Sequence, residues 1–411
     1  MRLLMGAKPM GYGSVAKLTT IAGLVPEHER RFVGEDLTLE FARRNSEVFT
    51  SVEECRIESF DAVRPAIEDA DCVVSARNPE LALWAARLGR PCVFVDSLLG
   101  FWRLGRSLGE LVAIGRDVPA AAARMQDCSP HERVVVGHVL ATHSIAQRCA
   151  GVDERVAELR ALGCEHVEPC GPIVDRERLR AAARALPAAD GTSEMVLGLG
   201  GFENFLLGAD HNNAYLALIE RWVRDFLAEN PDCRQILVCC GVYRRPRTFE
   251  LDGRRALFTV LPHDELVAAV GRARLYLCAP GLTAIHEALA LGRVPLLLPE
   301  EHYGHVVNVR AFAGTLLGEL AVTLADVVDD YAPPDDDLEG TRAAVACAAA
   351  IARGDGVYAR FRRLLDERTA RLAALGADAV AAAVDEAQRV ADGAPFAGAL
   401  SSALAAVEAG R

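Results

Sequence analysis

The feature that most constrains the fold is an alternation of short apolar runs with longer amphipathic stretches, and this alternation occurs twice along the chain. Short buried strands separated by segments of helical periodicity are typical of parallel sheets with crossover helices. The first series starts with residues 3–6 and the second starts at Met195. The pattern predicts an α/β protein with two Rossmann-like open parallel-sheet domains that face a cleft, followed by extra C-terminal helices.

The domain boundaries are predicted from changes in composition. We expect a first Rossmann-like domain over residues 1–185, a Pro-, Gly- and Ser-containing linker over 186–193, a second Rossmann-like domain over 194–332 and an alanine-rich helical segment over 333–411. The further apolar runs that we interpret as strands are 72–74, 91–96, 134–136 and 170–173 in the first domain, and 236–239, 256–260, 275–278 and 295–298 in the second.

Composition excludes several classes of function. The net charge of −12 disfavours a protein that binds nucleic acid by neutralising phosphates. The 12 cysteines include no CxxC pair, so we expect reduced core thiols and no metal site. No apolar run reaches the roughly 18–20 residues of a membrane span, and we expect a soluble cytoplasmic protein. Only Lys8 and Lys17 accompany 43 arginines, a bias that we attribute to a GC-rich genome.

Residues 256–312 carry the most informative motifs. This segment contains Leu-Pro-His at 261–263, Ala-Pro-Gly-Leu-Thr at 279–283 and His-Glu at 286–287, and continues to Pro295, Pro299, His305 and Asn308. It resembles the donor-binding half of GT-B glycosyltransferases, in particular UDP-glycosyltransferases and the transferase that adds N-acetylglucosamine in peptidoglycan synthesis. The rest of the chain agrees with these families only in layout.

A strand, a glycine and a helix N-terminus in succession direct unpaired backbone amides toward the edge of a sheet. Gly281 would let a phosphate approach, and the resemblance implies that Glu287 binds both hydroxyls of the nucleotide ribose. The alternative is a capping Thr283 and a surface Glu287 on a helix that only packs against the core. The donor-binding set expected on these grounds is Gly281, Leu282, Thr283, Glu287, Pro262, His263, Gly201, Arg244, Arg245, His305 and Asn308. The arginines of this set also fit a solvated surface.

Some positions depart from the family pattern. Val260 stands where an aromatic residue usually stacks on uracil, and Gly304 and His305 replace the acidic residue and glutamine that usually bind the donor sugar. The corresponding carboxylates have moved to Glu300 and Glu301, or this role is lost. These departures leave the identity of the sugar open.

The loop after the first strand is the second candidate site. Its glycines do not form a GxGxxG fingerprint, which disfavours a dinucleotide-binding dehydrogenase. The families that the chain resembles use this loop to contact acceptor and donor phosphate, and often place a catalytic histidine there. No histidine is present, and the polar groups of the loop include Lys8. The residues expected near the acceptor are Gly11, Tyr12, Gly13, Ser14 and Trp102; a glycine turn without a ligand is the alternative.

Asp96 is the first candidate for the catalytic base because it ends an apolar strand at the edge where ligands of open α/β sheets bind. We expect partial burial to raise its pKa toward a useful range. His138 and His143 are the competing candidates, since histidine titrates near neutrality. A structural role for either histidine remains the alternative.

The resemblance implies a glycosyltransferase that moves a sugar from a nucleotide sugar, with a UDP-sugar expected, to a small-molecule acceptor. Proline at position 280, where retaining members carry glutamate, favours inversion. We expect no cofactor beyond the donor and no metal, and a role in natural-product or nucleoside biosynthesis. A nucleotide-sugar 2-epimerase and a catalytically silent partner or activator protein remain alternatives. A homodimer remains open.

Overall fold

The computed structural model describes residues 1–9, 11–100, 103–185, 194–201 and 213–410. The chain divides into two compact units, one formed by Met1–Asp175 with Ala391–Arg411 and the other by Arg176–Val390. Each unit contains its own open sheet covered by helices, which confirms the predicted α/β class.

The described part of the first unit contains a seven-stranded sheet in the order β3-β2-β1-β4-β5-β6-β7, and every neighbouring pair is parallel. Its strands are β1 Arg2–Ala7, β2 Glu29–Gly34, β3 Ser51–Glu54, β4 Cys72–Ala76, β5 Cys92–Asp96, β6 His143–Gln147 and β7 Val167–Cys170. The helices between them are α1 Gly13–Leu24, α2 Asp36–Arg44, α3 Phe60–Asp69, α4 Pro79–Arg87, α5 Leu108–Arg116, α6 Val118–Arg124, α7 Pro130–Leu140 and α8 Val152–Ala161.

The described part of the second unit contains a six-stranded sheet in the order β10-β11-β9-β8-β12-β13. Its strands are β8 Met195–Gly198, β9 Gln235–Cys239, β10 Arg247–Leu251, β11 Arg254–Thr259, β12 Leu275–Cys278 and β13 Leu296–Leu297. Its helices are α9 Arg176–Ala185, α10 Asn213–Glu229, α11 His263–Arg272, α12 Leu282–Ala290, α13 Tyr303–Ala311, α14 Leu316–Leu320, α15 Leu324–Val327, α16 Asp337–Arg353, α17 Asp355–Ala373 and α18 Ala377–Arg389.

The last helix, α19 (Phe396–Ala409), belongs to the first unit. Its apolar side chains, among them Phe396 and Leu400, join Leu3 and Met5 of β1 in the core on the face of the sheet that α1 also covers. Helices α3, α4, α5, α7 and α8 contribute to the core on the opposite face. The first sheet is therefore buried on both faces, as the apolar runs of its strands require.

The structure corrects several sequence predictions. Helix α9 lies with the second unit although the predicted boundary is at residue 185, and the segment 333–411 is divided between the units. Residues 134–136 lie in helix α7, whose start is fixed by a capping box between Ser129 and Glu132, and are not a strand. The second sheet is mixed because β10 pairs antiparallel with β11. The predicted linker at 186–193 lies outside the described residues.

Candidate functional site

The second sheet reverses its strand order between β8 and β12, which are hydrogen-bonded neighbours. Open α/β sheets bind ligands outside the carboxyl ends of their strands at such a switch point. The loops that follow the carboxyl ends of β8 and β12 begin at this switch point, with residues 199–201 and residues 279–281. The predicted donor residues all follow the carboxyl end of a strand of this sheet, so the fold places them at one edge.

Helix α12 begins directly after Gly281, and no side chain caps its first amides. Gly281 has φ −82° and ψ 129°, a backbone conformation that any residue adopts. A Cβ atom added there would meet nothing closer than His305 Nε2 at 4.0 Å. Neither strain nor packing therefore requires glycine, and open space remains where the helix N-terminus favours an anion. Leu282 is buried beneath this space, and Thr283 in the first turn is half-buried.

Two side chains of α13, those of Asn308 and His305, lie next to the loop that ends at Gly281. The buried Asn308 donates its Nδ2–H to the carbonyl oxygen of Pro280 at 2.8 Å and so fixes the loop that ends at Gly281. The amide of Glu301 donates to Nδ1 of His305 at 3.4 Å, which places the ring proton of a neutral His305 on Nε2. Burial, with His302 stacked at 3.8 Å, lowers the pKa of His305 well below its ordinary value. His305 therefore presents an uncharged N–H donor toward Gly281.

Glu287 is held by His263, the first residue of α11, whose Nε2 lies 2.8 Å from Glu287 Oε1. Burial alone would lower the pKa of His263, but the Glu287 carboxylate raises it above its ordinary value. Within the described residues, Glu287 Oε2 makes no hydrogen bond and remains available to a ligand. Pro262 is the N-cap residue of α11, directly before His263, and Arg178 of α9 pairs with Asp264 at 3.0 Å.

Glu300 and Glu301 differ in their surroundings although they are adjacent. Glu300 accepts the amide of Leu324 at 2.8 Å and so supports the start of α15. Glu301 is only 7% exposed, and its Oε1 has no hydrogen-bond partner among the described residues. Burial raises the pKa of Glu301 well above its ordinary value, so the carboxyl group is held toward its protonated, hydrogen-bond-donating form.

The loop after β9 carries the predicted arginines. Arg244 and Arg245 are exposed, and the amide of Gly241 binds the carbonyl oxygen of Gly200 at 2.9 Å, which joins this loop to the one after β8. The loop after β8 ends its described part at Gly201, which is buried. Both arginines therefore follow the strand next to β8, at the ligand-binding edge.

In the first unit, the loop after β1 leads into α1. Gly11 has a positive φ of 60°, the left-handed region that glycine adopts without strain, and the Tyr12 ring packs against Phe41 with centroids 4.8 Å apart. Ser14 is buried, whereas a Cβ atom at Gly13 would meet nothing within 4 Å. In this loop, Gly13 therefore borders open space, whereas Tyr12 and Ser14 on either side of it are packed against the protein. Trp102, also predicted near the acceptor, lies outside the described residues.

The structure brings Asp96 and His138 together in a buried network. Asp96 has no exposed surface, and its carboxylate lies 3.2 Å from His138 Nε2 and 3.1 Å from Arg77 Nε. His138 is also fully buried, and its Nδ1 lies 2.6 Å from Ser144 Oγ. Burial alone would raise the pKa of Asp96, but His138, Arg77 and the amide of Leu98 lower it below its ordinary value. The prediction of a raised pKa is wrong, because it overlooked these partners.

His143 lies at the opposite edge of the sheet. It is the first residue of β6, and the parallel strands bring all amino ends to the same side. It cannot share the carboxyl edge with Asp96, the last residue of β5. Its placement contradicts the expectation that it competes with Asp96 for a role at the ligand-binding edge.

Sequence reasoning missed the importance of Lys8 and Arg77, which follow β1 and β4 at the switch point of the first sheet. The sequence shows that lysine is scarce, but composition alone attributes this scarcity to coding bias. The sequence around Arg77 does not indicate a special role for this residue. Its positive φ of 59° is a property of the folded backbone and cannot be read from the neighbouring residues.

Within the described ranges, no group of three or more His, Cys, Asp or Glu side chains could hold a metal ion. None of the helices described for this chain has the length and apolar character needed to cross a membrane.

No family model matches the chain, and no curated protein matches it. The chain does match solved structures of glycosyltransferases. One of them is spinosyn forosaminyltransferase SpnP, which is 15% identical. The match covers 89% of this chain and 95% of that chain, with a TM-score of 0.47. The glycosyltransferase SnogD from Streptomyces nogalater is 15% identical over 99% of both chains, with a TM-score of 0.45. Spinosyn rhamnosyltransferase SpnG, complexed with thymidine diphosphate, is 14% identical over 90% of this chain and 96% of that chain, with a TM-score of 0.44. Since these TM-scores are below 0.5, any functional conclusion must come from the residues of this chain.

We predict that Asp96→Asn lowers the free energy of unfolding by about 3–5 kcal/mol at pH 7, because it leaves Arg77 and His138 without their buried countercharge. The pKa of Asp96 is lowered by folding, so this contribution is present above about pH 3.9 and disappears as the pH falls through the folded pKa. Urea unfolding from pH 7 to pH 3 measures it.

The matched control for this prediction is Asp153→Asn, which removes an exposed partner of Arg148 in the same unit. It should change stability by at most about 1 kcal/mol. Equal effects of the two substitutions would show that Asp96 does not anchor the network.

We predict that Glu301→Gln stabilises the protein at pH 7 by about 1–3 kcal/mol, since glutamine keeps the shape but cannot ionise. Folding raises the pKa of Glu301, so the native state loses stability as the pH rises above about 4.3, the ordinary value for glutamate. The difference from the wild type should therefore vanish at lower pH. Unfolding curves at several pH values test this, with the exposed Glu319→Gln as the control; a destabilised Glu301→Gln would contradict the interpretation.

Proposed function

We propose that the chain is a cytoplasmic GT-B glycosyltransferase that moves a sugar from a nucleoside diphosphate sugar, with UDP as the expected nucleotide, to a small-molecule acceptor. The single observation that carries the proposal is the open space at Gly281, at the N-terminus of α12, with Glu287 farther along the same helix. Glycine is retained there without a structural need, which favours a ligand that approaches the backbone closely.

The leaving group of such a transfer is a diphosphate, whose developing charge must be stabilised. The first amides of α12 and the Nε2–H of His305 converge on the open space and provide donors for one phosphate. The exposed Arg244 and Arg245 can offer bidentate contacts to the other. These groups can balance the leaving diphosphate without a metal ion, and metal-independent transfer with inversion is therefore part of the proposal.

The pair of Glu287 and His263 supports recognition of the ribose. His263 holds one carboxylate oxygen of Glu287, so the side chain is oriented before a ligand arrives and the second oxygen can accept hydrogen bonds from adjacent hydroxyls. Glu301 supports recognition of a sugar hydroxyl, because burial raises its pKa and its buried Oε1 has no hydrogen-bond partner among the described residues, which costs stability unless a ligand uses it. Glu300 binds the amide of Leu324 and is not part of this proposal.

The acceptor side of the proposal concerns the first unit. We place the acceptor near the open Gly13 of the loop after β1, and we propose an acceptor from natural-product or nucleoside biosynthesis. Sugar turnover without any acceptor would instead identify a 2-epimerase of the same fold. Absence of nucleotide binding would favour the silent-partner alternative.

We predict that the wild type binds UDP at least about 10-fold more tightly than UMP, and that Gly281→Val removes this difference. The Cβ atom of the added side chain has room, and the side chain would occupy the space expected for the second phosphate. Calorimetry with both nucleotides, and with thymidine diphosphate for comparison, measures the effect. Gly356→Val in α17 is the control, because a Cβ atom at Gly356 would also meet nothing within 4 Å and its φ is not positive. Equal affinities of the wild type for UDP and UMP would exclude the phosphate site.

We predict that Glu287→Gln weakens UDP binding by about 1.5–3 kcal/mol, the range for a hydrogen bond to a charged group. The substitution also removes the charge that raises the pKa of His263, so NMR should show that histidine titrating at a lower pH. Glu265→Gln is the matched control, because Glu265 is exposed on α11 and only two residues from His263. An unchanged UDP affinity in a folded Glu287→Gln protein would remove Glu287 from the site.

A further inference from the structure

The chain uses arginine almost wherever it places a permanent positive charge. Lysine and arginine together number 45, and only Lys8 and Lys17 are lysines. A lysine retained against such a bias is informative, because a lysine amine can lose its proton in a protein whereas a guanidinium cannot. Lys17 is buried within α1, whereas Lys8 is half-buried, so Lys8 is the one that a substrate could reach.

Lys8 lies at the switch point of the first sheet. It directly follows β1, and its amide donates to the carbonyl oxygen of Ala76, the last residue of the neighbouring strand β4, at 3.0 Å. The strand order reverses between β1 and β4, so this is the place at which an open α/β sheet binds its ligand. Within the described residues, the Lys8 ammonium group forms no hydrogen bond and no ion pair.

Burial is the largest cause of a lowered pKa at Lys8, and the surrounding charges act in both directions. Burial lowers the pKa of Lys8, Arg77 after β4 and Arg133 of α7 lower it further, and Glu80 of α4 and Glu58 before α3 act in the opposite direction without reversing the shift. Arg77 adopts a left-handed backbone conformation, with φ 59°, which is costly for a residue with a side chain. With this backbone conformation the Arg77 guanidinium lies 3.1 Å from the Asp96 carboxylate, and its charge also acts on Lys8.

Asp96 and His138, the other candidates for a proton acceptor in this unit, are buried and bound to each other. We propose that Lys8 is the catalytic base that accepts the proton of the acceptor substrate during sugar transfer. The inference rests on the proposed glycosyltransferase function and identifies the group that this reaction still needs.

The step balances as follows. The lone pair of the neutral Nζ takes the proton from the acceptor hydroxyl while the hydroxyl oxygen forms a bond to the anomeric carbon of the donor. The bond between that carbon and the diphosphate oxygen breaks, and its electron pair leaves with the nucleoside diphosphate. The Lys8 ammonium then returns its proton to water. General bases contribute about 10²–10⁴-fold to such a step.

Turnover of a UDP-sugar by Lys8→Arg and Lys8→Met proteins tests the proposal. Both variants should lose about 100-fold or more in single-turnover rate, with UDP affinity within about two-fold of the wild type. The Arg variant is decisive, because it keeps the positive charge but cannot act as a base. Wild-type kcat/KM should rise with pH up to the pKa of Lys8, and neither variant should show this rise. A Lys8→Arg protein that keeps its rate would assign Lys8 to anion binding and overturn the proposal.

The two lysines also permit a direct measurement that does not depend on activity. In protein labelled with ¹³C-lysine, the Lys8→Arg variant identifies the Lys8 signal by its loss. Lys8 should titrate below about 10.4, the ordinary value for lysine, and its signal should return to that value in denaturant. Titration at or above 10.4 in the folded protein would overturn the proposal.

Calorimetry with UDP separates the two possible failures. If the wild type binds no nucleoside diphosphate, the proposed glycosyltransferase function is overturned. The proposed role of Lys8 in transfer is then overturned as well. If UDP binds and the sugar is transferred, but Lys8→Arg retains the rate, only the assignment of the base is overturned. Loss of rate together with a lowered Lys8 pKa supports both.

Discussion

The carboxyl edge of the first sheet depends on one buried charge, the carboxylate of Asp96. Three partners from different elements hold it: Arg77 after β4, His138 of α7 and the amide of Leu98 after β5. A buried carboxylate is stable only with such compensation, so the sequence must bring all three to the same point. Asp96 thereby determines where the Arg77 guanidinium lies, and through it the electrostatic surroundings of Lys8. It acts as a positioning residue.

The two units use buried ionisable groups in opposite ways. The charge on Asp96 is retained because it is fully paired, whereas Glu301 and His305 in the second unit are driven toward their neutral forms by burial without an adequate countercharge. Lys8 follows the second pattern within the first unit. Neutral groups can exchange protons or donate hydrogen bonds without first breaking an ion pair. Paired charges therefore stabilise the scaffold, and the unpaired groups are those available for chemistry.

Much of the second unit could be predicted because its signals are local. The Gly281–Glu287 spacing and the apolar run at 275–278 specify a strand, a turn and a helix N-terminus that the structure contains. Predictions that depend on distant partners failed. Residues 134–136 look like a strand, but the capping box and packing of α7 make them helical. The pKa direction of Asp96 could not be obtained from its own strand, because Arg77 and His138 become its neighbours only after folding.

The ratio of arginine to lysine illustrates how a composition signal gains meaning from position. A coding bias explains why most positive charges are arginines, but it does not explain why an arginine is absent from position 8. An arginine there would add a third permanent positive charge near Arg77 and Arg133. A lysine whose pKa is lowered by burial can release its proton, and its neutral form is a free amine at the edge where ligands bind. The surroundings that let a lysine occupy this position therefore also favour its neutral amine. That neutral form is the one that can accept a proton from a substrate.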